Sequence, residues 1–424
     1  MLDIKFIREN KDLIALAAKK KFVAFDVEEL LATDDLRKMK LQSVEKKRTE
    51  QNVVSDKVAS AKDPAERDAM IFEMRKFKAD MNKEETELEE IMKKWRSLML
   101  LVPNIPDMTV PDGESDVGNM EVKKWGSLPE FDFTPKNHIE LMENLGMVDL
   151  VRGAKVAGFR GYFLKDAGVK LSFAIWNYAL DFFSKKGFSP MIVPSLVRRE
   201  NLLGTGFLPQ GEEDLYKTQD GDFLAGTGEV ATMGYHSDEI LPMEDLPKKF
   251  LAFSPCFRRE AGSHSKDVKG LIRVHEFYKF EQVILCEASH ETSVRFHEEL
   301  TRNTEEFIES LGIPYHRVIN CGGDLGLGQV KKYDLELWVP LEKKYREIAS
   351  ASYFHDFQTR RLNIRYKDTD GKMKFAHSLN NTAIPTPRIL VSLVENFQQG
   401  DGSIAIPEVL QPYFGDSMIA PKKR

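Results

Sequence analysis

The first quarter of this chain is almost free of helix breakers, which narrows its possible folds sharply. From residue 1 to residue 98 there is no glycine and a single proline, Pro64. A cluster of breakers then follows: Pro103, Pro106, Pro111, Gly113 and Gly118. Because glycine and proline mark turns and loops, we predict a helical N-terminal domain over residues 1–102 and a linker over residues 103–117.

The second half of this segment has apolar side chains at alternating steps of four and three. They are Met70, Met74, Phe77, Met81, Leu88, Ile91, Trp95 and Leu98, with Glu84 at the one polar position. This is the heptad pattern of a helix that packs along a partner helix. A weaker seam precedes it, with Leu30, Leu41, Val44 and Val58 interrupted by Arg48 and Gln51. Asp63 and Pro64 suit a helix stop and restart, so we predict an antiparallel two-helix coiled-coil hairpin over about residues 27–98, roughly 50 Å long.

The sequence of this hairpin leaves two uses open. It could be an oligomerisation strut, or a ruler that carries basic side chains to a distant feature of a large partner. Lysine and arginine cluster at residues 19–21, 38–40 and 46–48. A solvated helix face explains such clusters equally well.

Residues 118–424 have a different predicted secondary structure, with short strand-like runs among helices. Strands are predicted over residues 250–257, 270–285 and 332–339, and helices over residues 170–186, ended by Gly187, and 387–399, ended by Gly400. Because strands and helices do not alternate regularly, we predict an α+β domain in which an antiparallel sheet is flanked by helices. No P-loop and no Rossmann glycine motif is present.

Composition excludes several classes of protein. The chain is 42% hydrophobic and 30% charged, unlike a disordered or fibrous chain. Its three cysteines, Cys256, Cys286 and Cys321, are widely spaced, so neither a disulfide framework nor zinc is expected. A charged N-terminal segment and short apolar runs predict a cytoplasmic protein with no membrane contact. The net charge of −6 means that any contact with nucleic acid must be local.

Residues 254–285, SPCFRREAGSHSKDVKGLIRVHEFYKFEQVIL, carry the strongest signal for chemistry. Period-two alternation places Arg258 and Glu260 on one face of the first strand, and Arg273, Phe277 and Glu281 on one face of the second. A ring to stack a base, arginines for phosphates and a carboxylate for a cation would then lie in order over roughly 13 Å. A ladder of cross-strand salt bridges is the competing explanation of this spacing.

FRREAG and GLIRVHEFYKFE in this segment resemble motif 2 of the class II aminoacyl-tRNA synthetases, specifically of the seryl-tRNA synthetase family. Other matches occur along nearly the whole chain: MLDIKFIREN, the hairpin, GFSPMIVPSLV with Pro194 as motif 1, NLLGTGFLP, TGE at residues 227–229, REIAS, and HSLNNTAIPTPRIL with the motif 3 Arg388. Because these matches are independent and correctly ordered, the chain resembles a bacterial-type member of the family and residues 118–424 its class II catalytic domain.

The resemblance implies a ligase that forms seryl-adenylate from L-serine, ATP and Mg²⁺ and transfers serine to the 3′-terminal adenosine of tRNA(Ser). It also implies a homodimer with motif 1 at the interface. The helical arm and the motif 2 loop would contact the tRNA. Whether tRNA(Sec) is also charged is left open by the sequence.

The resemblance further assigns roles to individual residues. The implied serine-binding residues are Thr227, Gly228, Glu229, Arg258, Glu281, Asn380 and Thr382. The implied ATP-binding residues are Arg258, Arg259, Glu260, Arg273, Val274, Phe277, Glu347, Ile348, Ala349, Ser350 and Arg388. Arg258, Glu347 and Arg388 are the implied catalytic residues, and Glu347 and Ser350 the implied Mg²⁺ ligands. Phe277 and Arg388 would sandwich the adenine ring.

The chain departs from the commoner family pattern in motif 2 and near the serine-binding segment. Gly226 and Gly228 would loosen the backbone beside Thr227 and Glu229, and Arg259 replaces a usual serine. Two other functions remain as alternatives. A paralogue that aminoacylates a carrier protein would lack the hairpin, and a non-catalytic RNA-binding relative would have no reason to retain the implied catalytic residues.

Overall fold

The computed structural model describes residues 1–60, 62–261, 267 and 269–421. These residues form two compact units. The helical unit comprises Leu2–Lys19 and Val23–Pro103, and the sheet unit comprises Met1, Lys20–Phe22 and the chain from Asn104 onward. Within the described ranges, no helix is both long enough and apolar enough to cross a membrane.

The helical unit is dominated by two long antiparallel helices. Its helices are α1 (Ile4–Glu9), α2 (Lys11–Lys20), α3 (Val27–Ser60) and α4 (Pro64–Leu101). The Lys40 ammonium lies 2.6 Å from the Glu87 carboxylate and that of Lys47 lies 3.1 Å from Glu84, so partner numbers fall along α4 as they rise along α3. The side chain of Asp63 caps α4, and Pro64 occupies its first turn. The predicted hairpin is confirmed.

The seam of α4 is as predicted, whereas that of α3 is only partly so, with Leu30 and Val44 buried and Val58 partly shielded from solvent. Every predicted position on α4 is at least partly shielded from solvent, including Glu84, which accepts hydrogen bonds from Ser43 at 2.8 Å and Lys47 at 3.1 Å. On α3 the inclusion of Leu41 was wrong, because this side chain is 36% exposed.

Long cationic side chains fill much of the α3 seam instead. The Arg37 guanidinium lies 4.6 Å from the centre of the Trp95 ring, and Lys40 and Lys47 point their ammonium groups at glutamates of α4. Such stems cover apolar surface while their charged ends stay hydrated. Val44 and Met81 are the last buried side chains before the turn, since no described residue between them in sequence is buried.

The sheet unit is built on one large sheet. Its strands are β1 (Met120–Trp125), β2 (Val148–Asp149), β3 (Phe163–Leu164), β4 (Ser189–Ile192), β5 (Leu196–Val197), β6 (Tyr216–Lys217), β7 (Phe223–Leu224), β8 (Ile240–Leu241), β9 (Lys248–Phe257), β10 (Glu276–Cys286), β11 (Tyr315–Ile319), β12 (Lys331–Val339), β13 (Lys344–His355), β14 (Arg365–Lys367), β15 (Met373–Phe375), β16 (His377–Thr386), β17 (Ile404–Ala405) and β18 (Met418–Ile419). Eight of them pair in the order β1-β11-β12-β13-β16-β10-β9-β4. All neighbours are antiparallel except β4 and β9.

The described helices of the sheet unit are α5 (His138–Asn144), α6 (Leu150–Ala157), α7 (Ala167–Lys185), α8 (Arg199–Thr205), α9 (Gly228–Gly234), α10 (His290–Leu311), α11 (Phe357–Leu362), α12 (Arg388–Asn396) and α13 (Gln411–Phe414). Buried side chains of α5, α7, α10, α12 and α13 form the main core with the large sheet. Leu171, Ile175 and Phe183 of α7 are buried in this core, as are Leu390 and Leu393 of α12. The predicted α+β class and both helices are confirmed, but α12 ends at Asn396 and not at Gly400.

The first strand of the predicted chemical segment ends where expected, and the second strand is shorter than expected. β9 ends at Phe257 and β10 begins only at Glu276, so the predicted alternation over Arg258, Glu260 and Arg273 was wrong. Glu260 has a φ of +55°. This left-handed conformation turns the chain away from the strand direction, so Glu260 is placed by a turn and not by a pleat.

Candidate active site

One face of β10 carries polar and aromatic side chains at alternate positions. Phe277, Lys279 and Glu281 lie on this face, while Phe280 and Ile284 belong to the main core. The flanking strands complete the surface, because Glu281 pairs in register with Thr382 of β16 and with Ala252 of β9. Aromatic and charged side chains thus follow one another along this face of β10.

The end of this line is a buried polar pocket, here called the carboxylate pocket, formed by Thr227, Glu229, Lys279, Glu281 and Thr382. The Thr227 hydroxyl caps α9 by accepting the Glu229 backbone N–H at 3.3 Å, and it lies 3.0 Å from the Glu281 carboxylate. The Lys279 ammonium forms an ion pair with Glu281 and lies 2.8 Å from Thr227 Oγ1 and 3.2 Å from Thr382 Oγ1. Two of the implied serine-binding residues, Thr227 and Glu281, are therefore in direct contact.

Glu229 lies at the back of this pocket and is almost fully buried. Its carboxylate accepts a hydrogen bond of 2.6 Å from the Gln358 amide and is within hydrogen-bonding reach of Asn380. Burial, reinforced by the negative charge of Glu281, raises the pKa of Glu229 to about 7. The pocket therefore holds one paired carboxylate and one carboxyl group that titrates near neutrality.

The raised pKa of Glu229 predicts a specific pH dependence of stability. Between about pH 4.5 and pH 7 the folded protein keeps a proton that the unfolded chain has released, so stability falls as the pH rises through this range. The shift is worth about 3 kcal/mol. We expect the melting temperature of the wild type to fall a few degrees more between pH 5 and pH 7.5 than that of Glu229→Gln. Glu276→Gln, at an exposed position of β10, is the control, and equal pH dependence in all three proteins would contradict the assignment.

A cavity adjoins the carboxylate pocket along the same sheet face, and Lys279 and Thr382 belong to both. Its other lining residues include seven of the implied ATP-binding residues: Arg258, Glu260, Val274, Phe277, Glu347, Ile348 and Arg388. The Arg258 guanidinium lies 5.3 Å from the centre of the Phe277 ring. We call this space the nucleotide cavity, because a ring face beside guanidinium groups is complementary to a base with phosphates.

Backbone carbonyl groups hold the two arginines of the nucleotide cavity. Arg388, the first residue of α12, donates to the carbonyl oxygens of Ile272 and Glu347, each at 2.9 Å. Arg258 donates from Nε to the Gly226 carbonyl at 3.3 Å. Because these bonds use only part of each guanidinium, further N–H groups remain for an anionic ligand.

A second, more polar cavity lies on the other side of Glu347 and Arg388 and includes Arg273. Arg273 forms an ion pair with Glu260 and has its Nε 3.8 Å from an oxygen of Asp267. The competing explanation of this segment was a ladder of salt bridges, and Arg273 and Glu260 do form such a bridge. Arg258, in contrast, has no carboxylate partner among the described residues.

The remaining implied residues lie at the margin of the nucleotide cavity or away from it. Arg259 is exposed and donates to the Glu213 carbonyl at 3.0 Å. Ala349 is buried within β13, and Ser350 pairs in register with Asp334 of β12. Within the predicted motif 2 loop, residues 262–266 and 268 lie outside the described residues.

Gly226 and Gly228 were expected to loosen the backbone, and the structure gives them a different role. A Cβ on Gly226 would lie 3.3 Å from Cγ of Arg258, and one on Gly228 would lie 3.3 Å from Cβ of Ala252. Both contacts are tight, and neither glycine has a positive φ. These glycines therefore allow close packing of the segment before α9 against β9.

Sequence reasoning missed two residues that complete the carboxylate pocket. Lys279 lies midway between Phe277 and Glu281 on the same strand face, so the alternation already contained the signal. Gln358 is on α11, far from the pocket residues in sequence, and no spacing rule connects it to Glu229.

Comparison with known proteins places the chain in a family. The family model for the seryl-tRNA synthetase N-terminal domain matches residues 1–106, and that for the class II tRNA synthetase core domain (G, H, P, S and T) matches residues 216–397. The serine–tRNA ligase of Deinococcus radiodurans is 45% identical over 98% of both chains. The chain belongs to the seryl-tRNA synthetase family. The corresponding ligase of Thermodesulfovibrio yellowstonii is 43% identical over 99% of this chain and 100% of the relative.

Solved members of the seryl-tRNA synthetase family have the same fold. The seryl-tRNA synthetase of Pyrococcus horikoshii, complexed with ATP, is 37% identical, covers 100% of both chains and superposes with a TM-score of 0.88. The cytoplasmic serine–tRNA ligase of Naegleria fowleri, in complex with AMP, is 31% identical and has a TM-score of 0.85, with 100% of this chain and 99% of that chain covered. The identification of the family from motifs is confirmed.

Proposed function

We propose that this chain is a serine–tRNA ligase, which activates L-serine with ATP to seryl-adenylate and transfers serine to the 3′-terminal adenosine of tRNA(Ser). The observation that carries this function is the continuity of two spaces on one sheet face. The nucleotide cavity holds a ring and two guanidinium groups, and the carboxylate pocket beside it offers hydroxyl and carboxylate groups. A nucleotide and a small hydroxy amino acid can meet head to head where they join.

The first half-reaction requires alignment and charge neutralisation. The serine carboxylate attacks the α-phosphorus of ATP, forming an acyl–phosphate bond while the bond to the pyrophosphate oxygen breaks. No protein nucleophile is needed, because the gain comes from orientation and from cations near the developing charge. Arg258 can bind the α-phosphate and the substrate carboxylate together, since it lies between Gly226 and Phe277 at the junction of the two spaces.

We assign the other residues of the nucleotide cavity by their positions. Phe277 and Arg388 stack on the two faces of the adenine ring, Glu260 lies on the adenine side, and Arg273 faces the outer phosphates from the neighbouring polar cavity. Glu347 and Arg388 line both cavities, so they lie where the phosphate chain would pass from one to the other.

Magnesium is expected to arrive with ATP. Among the described residues no group of three or more His, Cys, Asp or Glu side chains could hold a metal ion. Mg²⁺ is usually held by one or two carboxylates together with substrate phosphates, and an exposed Glu347 with Ser350 three residues away on β13 fits that requirement. When bound, the ion would neutralise phosphate charge.

We assign serine binding to the side chains of the carboxylate pocket that are already in contact with one another. Glu229 and Glu281 provide the acceptors for the serine ammonium and hydroxyl groups, and Thr227, Asn380 and Thr382 surround them. Gly228 provides the close backbone approach. A site with polar partners for a substrate hydroxyl rejects an analogue that lacks it by about 10⁴-fold or more, so alanine needs no editing, whereas threonine is excluded by size.

We propose that the tRNA is recognised mainly through the hairpin of α3 and α4, with a further contact from the motif 2 loop. Basic side chains on exposed helices bind backbone phosphates with salt-sensitive affinity and without base readout. We also propose that the protein is a twofold homodimer joined through the motif 1 segment, in which the arm of one protomer serves the site of its partner. We propose a cytoplasmic location for this dimer.

The decisive test is serine-dependent exchange of labelled pyrophosphate into ATP, followed by charging of purified total tRNA with labelled serine. We expect exchange with L-serine and charging that weakens as salt is raised. Well-folded protein that gives no exchange with serine would refute the catalytic function and leave the RNA-binding alternative. Exchange without tRNA charging would favour a carrier-protein substrate.

A further inference from the structure

Lys279 is the centre of the carboxylate pocket, although no motif assigned it a role. Its residue surface is only 4% exposed, and its ammonium group contacts Glu281, Thr227 and Thr382. An ammonium group has three N–H donors, so these three contacts occupy all of them. The lysine therefore connects side chains from three separate segments: the start of α9, β10 and β16.

These contacts determine which way the neighbouring hydroxyl groups point. Because an ammonium group can only donate, the oxygens of Thr227 and Thr382 must accept from Lys279, and their own protons must go elsewhere. The Thr227 proton has an acceptor in the Glu281 carboxylate, 3.0 Å away. The Thr382 proton has no recorded acceptor among the described residues. Thr382 is thus left as a donor at the edge of the pocket.

A donor on Thr382 and a spare acceptor on Glu281 match the two hydrogen-bonding capacities of an alcohol. Glu281 is opposite Thr382 in the ladder between β10 and β16, so one substrate hydroxyl can donate to the carboxylate and accept from the threonine. A methyl group in the same position leaves both protein groups unpaired in a buried site. Unpaired buried polar groups are the source of strong discrimination against the analogue that lacks the hydroxyl.

The charge of Lys279 keeps this arrangement in place. Glu229 and Glu281 are both buried in one pocket, and the Lys279 ammonium is the cation that pairs with Glu281. Without the ammonium group, Glu281 would lose its counter-charge, and Thr227 and Thr382 would lose the donor that they share. A Thr382 oxygen that no longer accepts from Lys279 could accept the substrate hydroxyl proton itself, and the match with Glu281 would be lost.

We propose that Lys279 is a positioning residue for substrate selection: by donating to Thr227 and Thr382 and neutralising Glu281, it orients the pair of groups that distinguishes serine from alanine. This proposal rests on the proposed function, because it concerns how the same site selects its amino acid. It predicts a change in selectivity and not a general loss of catalysis.

The test compares Lys279→Met with the wild type by ATP–pyrophosphate exchange, using L-serine and L-alanine as substrates over a range of concentrations. We expect kcat/KM for serine to fall by about 10²-fold and that for alanine to change less than about threefold, so the serine-to-alanine ratio falls from about 10⁴ towards 10². The serine-to-alanine ratio is the readout, because Lys279 also lines the nucleotide cavity and a loss of ATP binding alone would leave that ratio unchanged. Lys279→Gln, whose amide can donate to the threonines without a charge, should give an intermediate ratio.

The matched control is Lys249→Met, which removes a partly buried lysine of β9 whose ammonium lies 2.5 Å from Glu299, away from both cavities. It should leave the ratio unchanged. If Lys279→Met does not fold, Lys279→Gln carries the test. Equal losses for serine and alanine, or an unchanged ratio in a folded variant, would overturn the role of Lys279. A wild type without serine-dependent exchange would instead overturn the proposed function.

Discussion

Replacement of Glu281 with alanine is expected to lower kcat/KM for serine in ATP–pyrophosphate exchange by about 10³-fold. Glu281 is 2% exposed, accepts from Thr227 and pairs with Lys279, so its removal takes away the substrate acceptor and leaves a buried ammonium group without its counter-charge. Truncating one partner of a buried charge pair costs about 2–5 kcal/mol in binding, and each 1.4 kcal/mol is tenfold. The KM for ATP should change little, because Glu281 is not among the residues that line the nucleotide cavity.

Two further variants make this prediction specific. Glu281→Gln keeps the shape and one acceptor oxygen, so it should retain more activity than the alanine variant. Glu299→Ala breaks the ion pair with Lys249 outside the site and should leave serine activation unchanged. Loss of a buried partner also weakens the fold by about 3–5 kcal/mol, so melting temperatures must accompany the kinetics. A folded Glu281→Ala protein with wild-type activity would remove this residue from the serine site.

Shortening the hairpin is expected to separate the two half-reactions. Glu29 of α3 and Lys94 of α4 lie opposite each other, with their charged groups 2.7 Å apart, so the residues on either side of a deletion of residues 36–88 are also nearly opposite. A three-residue linker spans the distance of about 8–10 Å between paired helix axes. Pyrophosphate exchange should remain within about twofold of the wild type, while kcat/KM for tRNA should fall by at least about 10²-fold because the phosphate contacts are lost.

A smaller deletion distinguishes a ruler from a simple basic surface. Removing residues 53–59 and 67–73 takes one heptad from each helix, shortens the hairpin by about 10 Å and preserves the register of the seam. The clusters at residues 38–40 and 46–48 remain in this variant. If the hairpin acts only as a basic surface, the variant should charge tRNA almost normally. If the length of the hairpin matters, charging should be lost. If the variant with the longer deletion charges tRNA fully but has a changed oligomeric state, the hairpin serves oligomerisation instead.

The parts of the fold that repeated a pattern were predictable, and the parts set by tertiary contacts were not. The α4 seam follows from the spacing between Met70 and Leu98, because apolar side chains fill every position of it except that of Glu84. The α3 seam was misjudged because Arg37 and Lys40 contribute their stems and charges together, and an apolar pattern counts neither. The class followed from the irregular succession of predicted strands and helices, and the family followed from motifs whose order along the chain is independent of fine geometry.

The candidate site shows the same division. Alternation along β10 correctly placed Phe277 and Glu281 on one face and could have included Lys279. It failed beyond the strand ends, because the left-handed conformation at Glu260 cannot be read from a period of two. Gln358 comes from a distant helix and is brought to Glu229 only by the packing of α11.

Within the described part of the hairpin, no side chain is buried beyond Val44 and Met81 on the side of the turn. With little apolar surface to lose, that outer part can open and close locally while the inner part stays folded. The inner part of the hairpin is therefore firm, and the part near the turn is compliant. In the proposed complex with tRNA, this outer part would adjust to RNA arms of differing curvature.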